Sequence, residues 1–194
     1  MADRGRPRGP DRAQLLGAAD RTVPALLAPG LRVLFCGINP GLYTAWTGHH
    51  FARPGNRFWP ALHRSGFTDR QLAPAEQAQL LDLGLGITNV ATRASARAAE
   101  LSTAELHEGA ARLTGEVETY RPARLAVLGV TAFRQAFGRP RAALGRQDDR
   151  VGGSRVWVLP NPSGLNAHHT PASLAQLFGE LRAVVEAEAD GATR

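Results

Sequence analysis

Apolar residues occur along this chain in short dense runs separated by stretches with helical spacing. Arg32-Val33-Leu34-Phe35-Cys36 is continuous enough to read as a strand buried on both faces, at about 31–36. Gly86-Ile87-Thr88-Asn89-Val90, Arg124-Leu125-Ala126-Val127-Leu128-Gly129 and the run 155–159 predict further strands. Between them the spacing predicts helices over 57–64, 74–83, 131–137 and 171–187, the last with Leu174, Leu177, Phe178, Leu181 and Val185 on one face. Ser102-Thr103-Ala104-Glu105 reads as a capping box opening a helix that runs to about 120, before Pro122. A further helix over about 11–27 is expected to lead into the first strand.

Strands alternating with helices predict an α/β fold whose parallel sheet is covered on both faces. The loops after Cys36, Ile87, Leu128 and Leu159 then open on one edge of the sheet, which places Asn39, Asn89 and Asn161 in a single cleft. Open α/β sheets bind their ligands at that carboxyl edge. With 194 residues, 43% of them hydrophobic, the chain has material for one full core. The expected organisation is a basic arm at 1–12, one domain over 13–188 and a flexible tail at 189–194, with no internal repeats.

Charge sharpens the picture only in part. The formal net charge is +6 and no lysine occurs, so every basic side chain counted is arginine. Arginine binds phosphate bidentately and stays charged, which suits a polyanionic partner; a compositional bias toward Arg, Ala and Gly gives the same balance. Cys36 is the only cysteine, which excludes an internal disulfide and any cluster or zinc site built on several thiolates. No run approaches the roughly 18 apolar residues of a membrane span, and the arm lacks the apolar core of a signal peptide. A soluble cytoplasmic monomer with no metal and no cofactor is expected.

The candidate chemistry lies in the loops. Gly37-Ile38-Asn39-Pro40-Gly41-Leu42 follows the first strand, and Asn39 is its one polar side chain placed for chemistry. An amide orients a water but cannot deprotonate it at neutral pH. Alone, this loop reads first as a turn that merely ends a strand. A second loop, Leu159-Pro160-Asn161-Pro162-Ser163-Gly164-Leu165-Asn166, follows another apolar strand. Between the two stand Gly48-His49-His50-Phe51 and Pro54-Gly55-Asn56-Arg57-Phe58-Trp59. Together, these three stretches resemble the motifs of the mismatch-specific uracil/thymine DNA glycosylases, within the uracil-DNA glycosylase superfamily. The resemblance extends over about 31–185. It implies a three-layer αβα sandwich with a short, mainly parallel sheet, and double-stranded DNA bearing U·G or T·G mismatches as partner.

The same resemblance implies roles. Asn39 matches the water-positioning asparagine; faster relatives have an aspartate there, so catalysis is expected to be slow. Gly41 stands where uracil-restricted relatives carry a tyrosine that blocks a 5-methyl group, though it also reads as a turn glycine. Phe51 matches the aromatic that stacks on the flipped base, a contact worth about 1–3 kcal/mol; Phe is also a common core residue. His50 and Asn89 match pocket residues that contact the base, with a structural hydrogen bond the alternative for His50. Ile38 and Thr44 are further expected pocket residues. Asn161 replaces a histidine that stabilises the leaving anion in fast relatives. Ser163, Gly164, Leu165 and Asn166 match the DNA-contacting wedge, with Leu165 filling the space of the flipped base. Some bacterial members carry an arginine two residues past that leucine, where this chain has Ala167 followed by His168 and His169. With no lysine to form a Schiff base, a monofunctional enzyme that leaves an abasic site is expected. A non-catalytic mismatch-binding module would use the same wedge without a competent water. A dinucleotide-binding enzyme would need G-x-G-x-x-G or a phosphate-loop lysine, and both are absent.

Overall fold

A computed structural model describes residues 9–192. Five strands, β1 (Val33–Gly37), β2 (Leu85–Asn89), β3 (Arg124–Leu128), β4 (Gly145–Val151) and β5 (Ser154–Leu159), form one sheet in the order β2-β1-β3-β5-β4. The β2, β1, β3 and β5 strands run parallel, with Gly37 opposite Asn89 and Leu128 opposite Leu159 at their carboxyl ends. Along β1, Val33 and Phe35 belong to the core on one face, whereas Leu34 and Cys36 belong to the core on the other. That double burial explains the unbroken apolar run. Helices α3 (Phe58–Arg64) and α7 (Pro171–Ala192) supply Phe58, Trp59, Phe178 and Leu181 to the first core. Opposite them, α5 (Thr103–Tyr120) and α6 (Val130–Ala136) supply Leu106, Leu113, Val117 and Phe133 to the second. The result is a three-layer α/β/α arrangement. The capping box opens α5 as expected, with Ser102 Oγ accepting from the Glu105 amide at 3.1 Å.

Several expectations are corrected. The helix over 11–27 is reduced to α1 (Arg12–Leu16), capped by Asp11 and ended at Gly17. Pro24 cannot donate within a helix, and the chain extends instead so that Leu26 forms an antiparallel bridge with Ile87. The single helix over 74–83 is a 3₁₀ turn, Pro74–Glu76, followed by α4 (Gln79–Asp82). A short helix, α2 (Leu42–Thr47), begins directly after Gly41. The sheet gains β4, an edge strand antiparallel to β5 whose polar sequence hid it. Gly152 and Gly153, at φ 52° and 88°, make the two-residue turn between them with the positive φ pair that glycine tolerates. At the carboxyl end, 189–192 continue α7 rather than forming a tail, and Glu188 pairs with Arg124 and Arg155 beneath the sheet. Most of the expected basic arm, and residues 193–194, lie outside the described residues; Gly9–Asp11 lead directly into α1.

Candidate active site

The carboxyl ends of β1, β2, β3 and β5 enclose a cavity of about 240 Å³. It lies where the strand order turns from β2-β1 toward β3, the position at which open α/β sheets take ligands. Ile38, Asn39, Gly41, Thr44, His50, Phe51, Asn89 and Asn161 all line it, so the separated sequence motifs converge on one site. The volume is below the roughly 300–1,000 Å³ of pockets for drug-sized ligands, and suits a single ring with its sugar outside.

Four side-chain amides line this cavity: Asn56, whose Oδ1 accepts from the Phe58 amide at 2.9 Å, Asn89, and the pair Asn39 and Asn161, which are locked in orientation. Asn39 Nδ2 lies 3.0 Å from the Pro40 carbonyl and 2.9 Å from Ser95 Oγ. A carbonyl only accepts, and Ser95 spends its proton on the Arg97 carbonyl at 2.9 Å. Nδ2 must therefore be the group on that side, which leaves Oδ1 with no protein partner among the described residues. Asn161 is fixed in the opposite sense. Its Oδ1 accepts from the Ser163 amide at 2.9 Å, so its free group is the Nδ2 donor. One amide thus offers an acceptor and the other a donor. Asn89 is buried at the end of β2 and its side chain has no protein hydrogen bond, leaving both of its amide groups for a ligand. A Cβ at Gly37 would overlap Asn89 Oδ1, so glycine there makes room for that amide. Behind the strand end, Arg112 donates to the carbonyls of Asn89 and Val90 and pairs with Glu116, which accepts from the Thr88 hydroxyl at 3.0 Å.

Phe51 holds a left-handed backbone at φ 54°, which costs about 1–2 kcal/mol for a residue with a side chain. Its ring lies 4.1 Å from that of Phe58 at an interplanar angle of 26°, so its position is set from behind by a buried aromatic. His50 is tied structurally: Nε2 lies 3.0 Å from the Pro24 carbonyl and must carry the proton there, and the His50 amide donates to Gln77 Oε1 at 2.7 Å. His50 lines the cavity, and in its neutral form the ring with its proton on Nε2 has Nδ1 as an acceptor. Burial pushes the His50 pKa below its ordinary value of 6.5, against the hydrogen bond to Pro24, which raises it. The unfolded chain then takes up the proton more readily, so stability is retained above about pH 6.5 and falls as pH drops toward the folded pKa. Melting curves between pH 7 and 5 are expected to fall more steeply for the wild type than for His50→Gln; parallel curves would contradict this assignment. Burial also pushes the Cys36 thiol up, so it is not a nucleophile at neutral pH.

Leu165 projects from the loop after β5 with 73% of its surface exposed. The loop's own polar groups hold it there. Asn166 Nδ2 donates to the Asn161 carbonyl at 2.9 Å, and Ser163 Oγ accepts from the Leu165 amide at 3.3 Å. Ser163 and Leu165 line the cavity, whereas Gly164 packs behind them, where a Cβ would come within 2.6 Å of the Gly55 carbonyl oxygen. Arg57 organises the whole loop, its guanidinium donating to the carbonyls of Ser163, His169 and, at 2.8 Å, Asn166. The Arg57 amide also donates to the Pro162 carbonyl at 2.9 Å. Sequence reading quoted Arg57 within a motif without giving it this role, and missed Ser95 altogether. No local signature marks Ser95, which reaches Asn39 only because its segment bridges to Gly41. His168 and His169 join no metal-binding group, since no cluster of three or more His, Cys, Asp or Glu occurs among the described residues.

The fold has a counterpart among solved structures. A candidate uracil DNA glycosylase from Methanosarcina acetivorans, known from its solution structure, is similar over 84% of this chain and 98% of its own, at a TM-score of 0.58 and 18% identity. At that identity the likeness is one of fold. Residues 24–182 match the family model of the uracil DNA glycosylase superfamily, and the chain belongs to that superfamily.

Proposed function

We propose that this protein is a monofunctional DNA glycosylase of the mismatch-specific branch, releasing uracil, and thymine with other 5-substituted pyrimidines, from pairs with guanine. The observation that carries the reading is the locked Asn39 amide, whose free Oδ1 faces a cavity of single-base size. A base extruded from the duplex enters with its face on Phe51 and its polar edge toward Asn89. Asn39 Oδ1 accepts a hydrogen bond from the attacking water and orients it toward C1′, while the Nδ2 donor of Asn161 faces the departing base. The C1′–N bond breaks, its electron pair leaves with the base as an anion, water oxygen bonds to C1′, and the proton that water loses ends on the released base. Because no carboxylate lines the cavity, charge on the sugar is not offset from its floor, and the reaction runs slowly on leaving-group stabilisation and water placement. Incubating a labelled U·G duplex with the protein, then with alkali, tests the reading: a strand break that needs the alkali is the expected result.

Gly41 supports the breadth of substrate. It has an ordinary extended backbone, φ −73° and ψ 159°, and a Cβ there would meet nothing within 4 Å. Gly41→Tyr is therefore expected to fold with an unchanged melting profile, lower the ratio of T·G to U·G excision at least tenfold and spare uracil release. A folded variant with the wild-type ratio would show that Gly41 is not the gate. Leu165→Ala is expected to reduce excision from a U·G duplex at least tenfold more than from a single strand bearing the same uracil, because only the duplex has a space to fill. Equal losses on both would remove Leu165 from the flipping step.

A further inference from the structure

The rim of the cavity carries two cations that the chemistry above does not use. Arg97 lies two residues after Ser95, on the segment bridged to Gly41, and Arg53 lies on the loop that packs against Gly164. The two therefore approach the mouth from different sides, one beside the Asn39 loop and one beside the Leu165 loop. Both are exposed, and neither guanidinium has a hydrogen bond or ion pair among the described residues. No Asp or Glu lines the same cavity. Arg70, Arg93, Arg139 and Arg182 each pair with a carboxylate, whereas Arg21, Arg64, Arg121, Arg141 and Arg146 are unpaired like Arg53 and Arg97 among the described residues; what sets Arg53 and Arg97 apart is their place on the lining of this cavity. A guanidinium left unpaired at a mouth without carboxylates keeps its full set of donors for a bidentate anion.

We propose that Arg53 and Arg97 bind the phosphodiesters on either side of the extruded nucleotide, on the strand that carries the target base. The inference rests on the glycosylase reading. A base inside the cavity draws its own sugar and flanking phosphates to the mouth, where the two arginines stand. With Leu165 in the space of the extruded base, the opposite strand would lie on the far side of that side chain from the cavity mouth, and Asn166, His168 and His169 line a separate cavity. The grip is therefore on one strand.

The test uses the full chain, Arg53→Gln, Arg97→Gln and the double variant. Fluorescence anisotropy measures binding to a U·G duplex whose uracil nucleotide carries a 2′-fluoro group that resists cleavage. Each substitution is expected to make the slope of log K against log salt shallower by about 0.9, and the double variant by about twice that. Uncharged methylphosphonates then replace single phosphates. In the target strand, beside the uracil, they are expected to weaken wild-type binding while causing little further loss in the matching arginine variant. In the opposite strand the two losses are expected to multiply. An unchanged salt slope, or losses that multiply fully with target-strand methylphosphonates, would overturn the proposal. The methylphosphonate series on the wild type stands even if a variant melts early: no loss beside the uracil would also overturn it. Failure of the glycosylase reading is separate, seen as binding without release from the cleavable duplex.

Discussion

Asn39→Ala is expected to reduce uracil release from a U·G duplex by at least about 10²-fold, in the range set by loss of a group that directs a reacting proton, while binding of that duplex changes little. The reason is geometric. Pro40 and Ser95 hold Nδ2, so Oδ1 is the acceptor the side chain leaves free. Single-turnover release and anisotropy on a non-cleavable duplex separate the two effects. Ser95→Ala is expected to produce a smaller fall in release, because Pro40 still accepts from Nδ2 and the amide keeps part of its orientation. Wild-type release by Asn39→Ala would assign the water to another group.

Removing the guanidinium that organises the wedge loop is expected to have the next largest effect. Arg57→Met leaves the carbonyls of Ser163, Asn166 and His169 without their shared donor. A hydrogen bond to a charged group contributes about 1.5–3 kcal/mol, so release from a duplex is expected to fall at least tenfold, with a lower melting temperature. Release from a single strand is expected to fall less, because Leu165 has no duplex space to fill there. Arg57→Lys recovers part of the loss at most, since one ammonium cannot reproduce the planar fork. A variant with full duplex activity would show that the loop keeps its shape without Arg57.

How much of this was legible in the chain depends on the range of the interactions involved. The β1, β2, β3 and β5 strands announce themselves because each is buried along most of its length on both faces and so is mostly apolar. Their parallel order then brings Asn39, Asn89 and Asn161 to one edge, as the alternation of elements predicted. The β4 strand is an edge strand with a polar sequence, Gly145-Arg-Gln-Asp-Asp-Arg-Val151, and only the Gly152-Gly153 turn marked it. The segment after Gly17 has apolar residues at helical spacing, yet Pro24 and the bridge from Leu26 to Ile87 hold it extended. That correction reaches the site, since the Pro24 carbonyl fixes the His50 ring. Ser95 and Arg57 act across 56 and up to 112 positions of chain. No local pattern encodes contacts of that span.

In the proposed reaction everything depends on the Asn39 amide directing a water to C1′ of a nucleotide held in this cavity. The most direct measurement is release of free uracil from a U·G duplex in water enriched in ¹⁸O, with the abasic sugar analysed by mass spectrometry after rapid quenching and immediate borohydride reduction. The wild type is expected to give free uracil, a strand break that needs alkali and one ¹⁸O atom retained at C1′, and Asn39→Ala is expected to reduce all three together. Tight binding of the U·G duplex by the wild type with no uracil released, or undiminished ¹⁸O incorporation by Asn39→Ala, would contradict the proposed reaction.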